Sequence, residues 1–429
     1  MRILIATFAE RTHFIGMVPL AWALRAAGHE VRVASQPALT GVVAESGLTA
    51  VPVGRDHLLT AILGSARRLG AAGPAFDLAA DPGELDWDQL RKGYAETLVP
   101  LWWKPINEPM IAELTEFCQW WRPDLVLWEP LTYAGALAAE ACGALHARVP
   151  FALDLTARLR ARWLRLVAED PSRSAEDPLA RWLGARAAAR GVEFSEALTL
   201  GRFTIDAMPP SVRPGSYPER EYPEHERLAM RFVDYNGRAV LPGWLRREPE
   251  RPRVCLTLGT TAPERTGGYA VPIPRLLEAL AEVDAEVVLP LPEAGRAALG
   301  AVPGAVPGNV RVTGFVPLHA LAPTCAAFVN HGGASTVCTG LLYGVPQLLV
   351  TDHYFDEPLW GERLTELGAG LALRPDEATP RAVRDGLGRL LGEPGFREAA
   401  ARIGAEMRAM PAPTEVAAEL ARRVAEHRS

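Results

Sequence analysis

Lysine is nearly missing from this chain of 429 residues. It stands only at Lys92 and Lys104, and the rest of the 45 basic residues are arginine. That bias fits a GC-rich genome and carries no chemistry. A basic excess is missing as well: the formal net charge is −6, so no positive field argues for nucleic acid. Cysteine is sparse, with Cys118, Cys142, Cys255, Cys325 and Cys338 dispersed and no CxxC or paired-ligand spacing. This excludes a disulfide framework and a zinc site, and fits small buried thiols in a reducing cytoplasm. No segment approaches the ~18 uninterrupted apolar residues of a membrane span. The opening MRILIATFAERTHF has an apolar run too short for a signal peptide and ends in charge. No GxGxxG follows the first apolar run, which argues against NAD.

What is present is globular. Hydrophobic residues make up 48% and charged residues 22%, and the length predicts two domains of roughly 200 residues each. RILIATFA reads as a strand buried on both faces. MVPLAWALRAAG has helical spacing and stops at Gly28, a C-terminal cap. HEVRVAS, PALTGVVAESG and LTAVPVG continue as strand, helix and strand, the alternation of a parallel, doubly wound sheet. Residues 55–120 read as a helical excursion rich in tryptophan, after which PDLVLWEPLTYAGALAAEACG returns to strand and helix. Residues 209–252 hold eight prolines and dense charge, the composition of a linker. The pattern then restarts with RVCLTLG, AEVVLPL, AAFVNH and VPQLLVT as strands. Two α/β halves around a charged linker predict a bilobed protein with an interdomain cleft.

Ligands of open parallel sheets lie at the carboxyl ends of strands, where helix N-termini aim free N–H groups. FVNHGGASTVCTG, residues 328–340, is such a place. Gly332 and Gly333 allow close backbone approach. The N–H groups of Ala334, Ser335 and Thr336 open the next helix, His331 adds a donor and Thr336 a hydroxyl. The set suits a pyrophosphate, although the same glycines would serve a plain strand-to-helix turn. Downstream, VTDHYFDEPLWGERL puts Asp356 and Glu357 beyond the following strand. Carboxylates there would repel phosphate but accept hydrogen bonds from sugar hydroxyls; as first-turn acids they would equally suit the helix itself. Upstream, Phe315 and Val316 stand at another strand end, where an aromatic ring and backbone groups could hold a nucleobase. Thr260 and Thr261, after CLTLG, could reach the diphosphate, though Ser and Thr are common turn formers.

The order GFVP, HGG, Asp-Glu resembles the nucleotide-sugar signature of GT-B glycosyltransferases. More of the chain resembles one subgroup. VPLAWALRAAGHEVRVASQPALT, RPDLVLWEPLTYAG, RFVDYNG, RVCLTLG, GFVPLHALAPTCAA and HGG with GVPQLL look like the actinobacterial TDP-deoxysugar transferases of macrolide and aromatic-polyketide biosynthesis. Desosaminyl, mycaminosyl and anthracycline aminosugar transferases are among them. The resemblance implies an α/β GT-B fold, two Rossmann-like doubly wound parallel-sheet domains. Residues 1–215 would bind acceptor, 216–250 link, 251–412 bind nucleotide-sugar, and 413–429 return as a helix to the first domain. It implies inverting transfer of a deoxy(amino)sugar from TDP-sugar to a hydroxyl of a hydrophobic polyketide, with no metal ion and no cofactor.

The same resemblance assigns roles. The family carries its base as His-x-x-Pro/Gly after the first strand, here His13 with Gly16. An imidazole of pKa ~6.5 is a workable base once a carboxylate steadies its cation. The partner position is Glu129, where many relatives outside the subgroup carry Asp. Departures from the pattern are Ser335 at the third glycine of HGG-x-G, Asn330 where a second His is frequent, and Glu357 where Gln is usual. An acid at 357 would suit the ammonium of an aminosugar. The subgroup's N-terminal helices resemble those that dock a cytochrome-like auxiliary protein lacking its haem ligand. The tryptophans of 87–121 are candidates for that surface or for core packing, and a homodimer is compatible. Asp86 and Asp88 in DWD match a metal-binding DxD, but as helix N-terminal acids they have a plainer reading. Two other functions stay open: an epimerase or hydrolase of the same fold, and a non-catalytic TDP-sugar-binding partner.

Overall fold

From Ile3 onward every side chain of β1 (Arg2–Ala6) is buried, as a strand covered on both faces requires. The computed structural model describes residues 1–59, 61–62, 76–214, 225–259, 269, 271–300, 304, 306–351 and 355–429, with backbone alone at 294, 298 and 300. The chain divides into two units: 1–208 with 215–233 and 410–429, and 209–214 with 234–409.

The first unit is built on seven parallel strands. They are β1, β2 (Glu30–Ser35), β3 (Thr49–Pro52), β4 (Leu125–Trp128), β5 (Leu145–Arg148), β6 (Thr204–Asp206) and β7 (Arg227–Ala229), in the order β3-β2-β1-β4-β5-β6-β7. The chain winds outward from β1 to β3, then returns to lay β4 beside β1. The carboxyl ends of β1 and β4 are therefore the topological switch point. β7 lies inside the stretch whose prolines and charge read as linker. It is three residues long, and its pairing with β6 supplies what its local sequence does not signal.

The helical excursion contains Trp87–Lys92, a π-helical stretch Gly93–Trp103 that accommodates Pro100, and Ile111–Trp121. Trp102, Trp103 and Trp121 are core residues, whereas Trp120 is 71% exposed. Asp86 caps the first of these helices: its carboxylate accepts from Gln89 N–H at 2.8 Å while the Gln89 side chain accepts from Asp86 N–H at 3.0 Å. The last helix, Pro413–Arg428, packs on Val18–Ala26 and pairs Arg423 with Glu226 and Arg428 with Asp124.

The second unit repeats the design with β8 (Arg253–Thr257), β9 (Glu286–Pro290), β10 (Val310–Thr313), β11 (Cys325–Asn330), β12 (Gln347–Val350) and β13 (Gly370–Leu373), ordered β10-β9-β8-β11-β12-β13 and all parallel. Alternation splits its core. Val254, Leu256, Val287, Leu289, Ala327 and Val329 face one cluster, while Cys255, Val288 and Phe328 face another. Its switch point lies between the ends of β8 and β11. Among the described residues no helix is long and apolar enough to cross a membrane.

Candidate active site

In the first unit, His13 lies on the short helix Arg11–Ile15 just beyond β1, and Glu129 is the first residue after β4. The two loops are tied together at the switch point. Glu129 N–H donates to the Ala6 carbonyl at 3.0 Å, and Phe8 N–H donates to Thr132 Oγ1 at 3.0 Å. His13 Nδ1 stands 3.0 Å from Glu129 Oε1, with both side chains buried. The other carboxylate oxygen accepts from Leu131 N–H and from the Thr132 hydroxyl, each at 2.9 Å. A carboxylate only accepts, so Nδ1 is the donor in this bond, and Nε2 is the ring nitrogen left to meet an acceptor substrate. The ring is packed edge-on by Phe8 at 4.8 Å between centroids and covered by Phe151 at 3.6 Å. Phe151 has no signal in the sequence, because its contact with His13 comes from a loop after β5, two strands away from β1 in the sheet.

In the second unit, the end of β11 delivers His331, Gly332 and Gly333 beside the end of β8. The His331 ring occupies a slot between two glycines. A Cβ on Gly259 would come within 2.7 Å of it and one on Gly333 within 2.5 Å. Gly332, at φ +90°, turns the chain and leaves room for Glu357, whose Cβ lies 3.0 Å from where a Gly332 side chain would start. Burial lowers the His331 pKa to about 4, against a backbone group of Thr257. At pH 7 the imidazole is therefore neutral, and it has a hydrogen bond rather than a charge to offer a ligand.

The following helix, Ala334–Leu342, starts with N-cap Gly333. Thr336 N–H already donates to Gly333 O at 2.9 Å. The N–H donors left at this terminus are those of Ala334 and Ser335, and Thr336 retains its hydroxyl. Of the three amides expected to face an anion, that of Thr336 is turned onto the N-cap carbonyl of its own first turn.

Asp356 is buried, and its Oδ2 accepts from Trp360 Nε1 at 2.8 Å, one turn into helix Glu357–Glu366. Glu357 accepts from Phe355 N–H at 2.7 Å. Glu357 stands beside the Gly332 turn. Phe315 is 56% exposed, whereas the Val316 side chain is buried in the core with Leu321 and Phe328. At Val316 only the backbone is available for a ligand. Thr260 and Thr261 lie outside the described residues. Among the described residues no three His, Cys, Asp or Glu side chains group as metal ligands, and Asp86 and Asp88 are helix N-terminal acids.

This fold resembles the crystal structure of glycosyltransferase VinC in complex with dTDP. That structure superposes with a TM-score of 0.85 at 42% identity, covering 99% of this chain and 100% of the other. The molecule is a glycosyltransferase of the GT-B class. Within that class it belongs to the erythromycin biosynthesis protein CIII-like family, whose N-terminal domain matches residues 22–259 and whose C-terminal domain matches 274–422. Relatives include the 10-deoxymethynolide desosaminyltransferase of Streptomyces venezuelae, 44% identical over 100% of this chain and 98% of that one. Another is the TDP-daunosamine transferase DnrS of Streptomyces peucetius, 43% identical over 100% and 98%.

Proposed function

We propose that this protein moves a deoxysugar of the amino class from a TDP-sugar to a hydroxyl of a polyketide aglycone, with inversion and without a metal ion. The observation that carries the reading is the buried His13–Glu129 pair, 3.0 Å apart at the first switch point. With Nδ1 held by the carboxylate, Nε2 takes the proton of the acceptor hydroxyl. The acceptor oxygen attacks the anomeric carbon as the bond from that carbon to the diphosphate oxygen breaks on the opposite face. Glu129 stabilises the imidazolium that results.

TDP departs as an anion onto the N–H groups of Ala334 and Ser335 and the ring of His331, donors fixed before the charge develops. Phe315 offers its exposed face to the thymine, and the Val316 backbone its edge. Asp356, oriented by Trp360, accepts from a sugar hydroxyl. Glu357 pairs with the donor's ammonium. The dTDP in complex with VinC and the TDP-daunosamine named for the S. peucetius relative support this donor class. The acceptor named for the S. venezuelae relative supports a polyketide aglycone. Trp120, exposed beside Phe117, supports docking of a haem-less cytochrome-like helper on helix Ile111–Trp121.

The test is a panel of TDP-deoxysugars against macrolactone and anthracyclinone acceptors, with EDTA present, with and without the helper. Glycoside of inverted anomeric configuration is expected, unaffected by EDTA. His13→Ala and His13→Asn should lower kcat by about 10²–10⁴ while leaving TDP binding unchanged. Unchanged turnover in both variants removes His13 from the mechanism.

A further inference from the structure

Two buried amide side chains lie behind the glycine loop of the second unit, and neither has a part in the chemistry described so far. Asn330 ends β11 and Gln347 begins β12, and both are fully buried. In the parallel register Asn330 stands opposite Leu349, so Gln347 is its diagonal neighbour on the same face of the sheet. Asn330 Oδ1 accepts from Gly332 N–H at 2.8 Å. Asn330 Nδ2 donates to Gln347 Oε1 at 2.8 Å. Gln347 Nε2 donates to the Val337 carbonyl at 2.8 Å, in the helix that follows the loop. Helix residue 340 is glycine where a Cβ would come within 2.5 Å of Gln347 Nε2. The helix thus leaves a notch for this amide.

The direction of the chain is forced. It begins at a backbone donor and ends at a backbone acceptor, so each amide has one permitted orientation, and reversing either breaks the two bonds it makes. Three backbone features are thereby set against one another: the turn at Gly332, the start of β12 and the second turn of helix Ala334–Leu342. These fix where the N–H groups of Ala334 and Ser335 point.

We propose that Asn330 and Gln347 are positioning residues that hold the glycine loop and the helix N-terminus in register for a diphosphate. The inference rests on the reading of this loop as the TDP-sugar site. Cradle amides held in place before the ligand arrives lose no freedom on binding, so the relay acts on the diphosphate part of recognition and not on the base.

The experiment compares thymidine diphosphate and thymidine, the same nucleoside without its phosphates, by calorimetry on the full chain. Gln347→Glu keeps the shape but turns a carboxylate oxygen toward the Val337 carbonyl. Asn330→Ser keeps an oxygen near the Gly332 N–H and abolishes the bond to Gln347. In each folded variant the Kd for thymidine diphosphate should rise ~10-fold or more, in line with losing a buried hydrogen bond. The Kd for thymidine should stay within about twofold, and KM for the donor should rise while KM for the acceptor does not. Equal weakening of both ligands, or of neither, overturns the relay. If the unaltered protein fails to bind thymidine diphosphate, the donor-site reading falls instead. Should Gln347→Glu not fold, Asn330→Ser decides alone.

Discussion

Neighbouring glycines do different work in the His331 loop. Gly332 has φ +90° and is required by its backbone, whereas Gly333 has φ −62°, which any residue adopts. Glycine at 333 is there because the His331 ring fills the space of a side chain. Gly333→Ala therefore changes no backbone preference and pushes only on the imidazole. Affinity for thymidine diphosphate, measured by calorimetry, should fall ~10-fold with a near-normal melting temperature. The glycines themselves were plain in the sequence, and their different reasons were not, because both depend on what folds against them. The same holds at His13. Its partner lies 116 residues away, so no spacing announces the pair, and Glu129 entered through family resemblance alone. Phe151 was missed outright, since an aromatic in a loop carries no mark of the ring it will cover.

Among the elements, the loop between β5 and helix Leu155–Glu169 is held by ions. Asp154 caps that helix through Ala157 N–H at 3.2 Å and accepts from both Arg148 terminal nitrogens, at 3.1 and 2.8 Å, and from Arg227 at 3.3 Å. Burial alone would raise its pKa. Arg148 and Arg227 outweigh that and hold it at about 2. Its contribution is thus present above the ordinary carboxylate range and lost as pH falls through about 2. Asp154→Ala leaves Arg148 buried without its bidentate partner, and chemical denaturation should record a loss of about 3–5 kcal/mol. Phe151 sits in this loop, so milder substitutions here should lower activity before stability. The long apolar strands of both sheets were legible from composition and period. β6 and β7, three residues each, were not. A strand that short is defined by its neighbour's hydrogen bonds, and around β7 prolines and charge point the other way.

At the scale of the whole molecule, acid should be the weak side. Burial lowers the pKa of His331 to about 4 and of His225 to about 3, the latter with help from Arg148 and Arg227; burial also lowers His146, against Glu140. In the unfolded chain these imidazoles take up protons near pH ~6.5. The folded protein resists doing so until much lower, so the unfolded state binds more protons across the interval and gains on acidification. The melting temperature should hold above pH ~6.5 and decline progressively toward pH 4. A flat profile down to pH 5 in differential scanning calorimetry would contradict the buried, neutral state of these rings.

The chain crosses between its two units four times, leaving the first at 208, rejoining it at 215, leaving again at 233 and coming back at 410. A chimera that takes its donor specificity from a relative cannot be made with one splice. Fusing foreign sequence from 234 to the carboxyl terminus would import a last helix unmatched to the resident Val18–Ala26 surface and to Glu226 and Asp124. Crossovers near 234 and 409 keep that tail with its own half, and recombinants built this way should be the ones recovered as active enzyme.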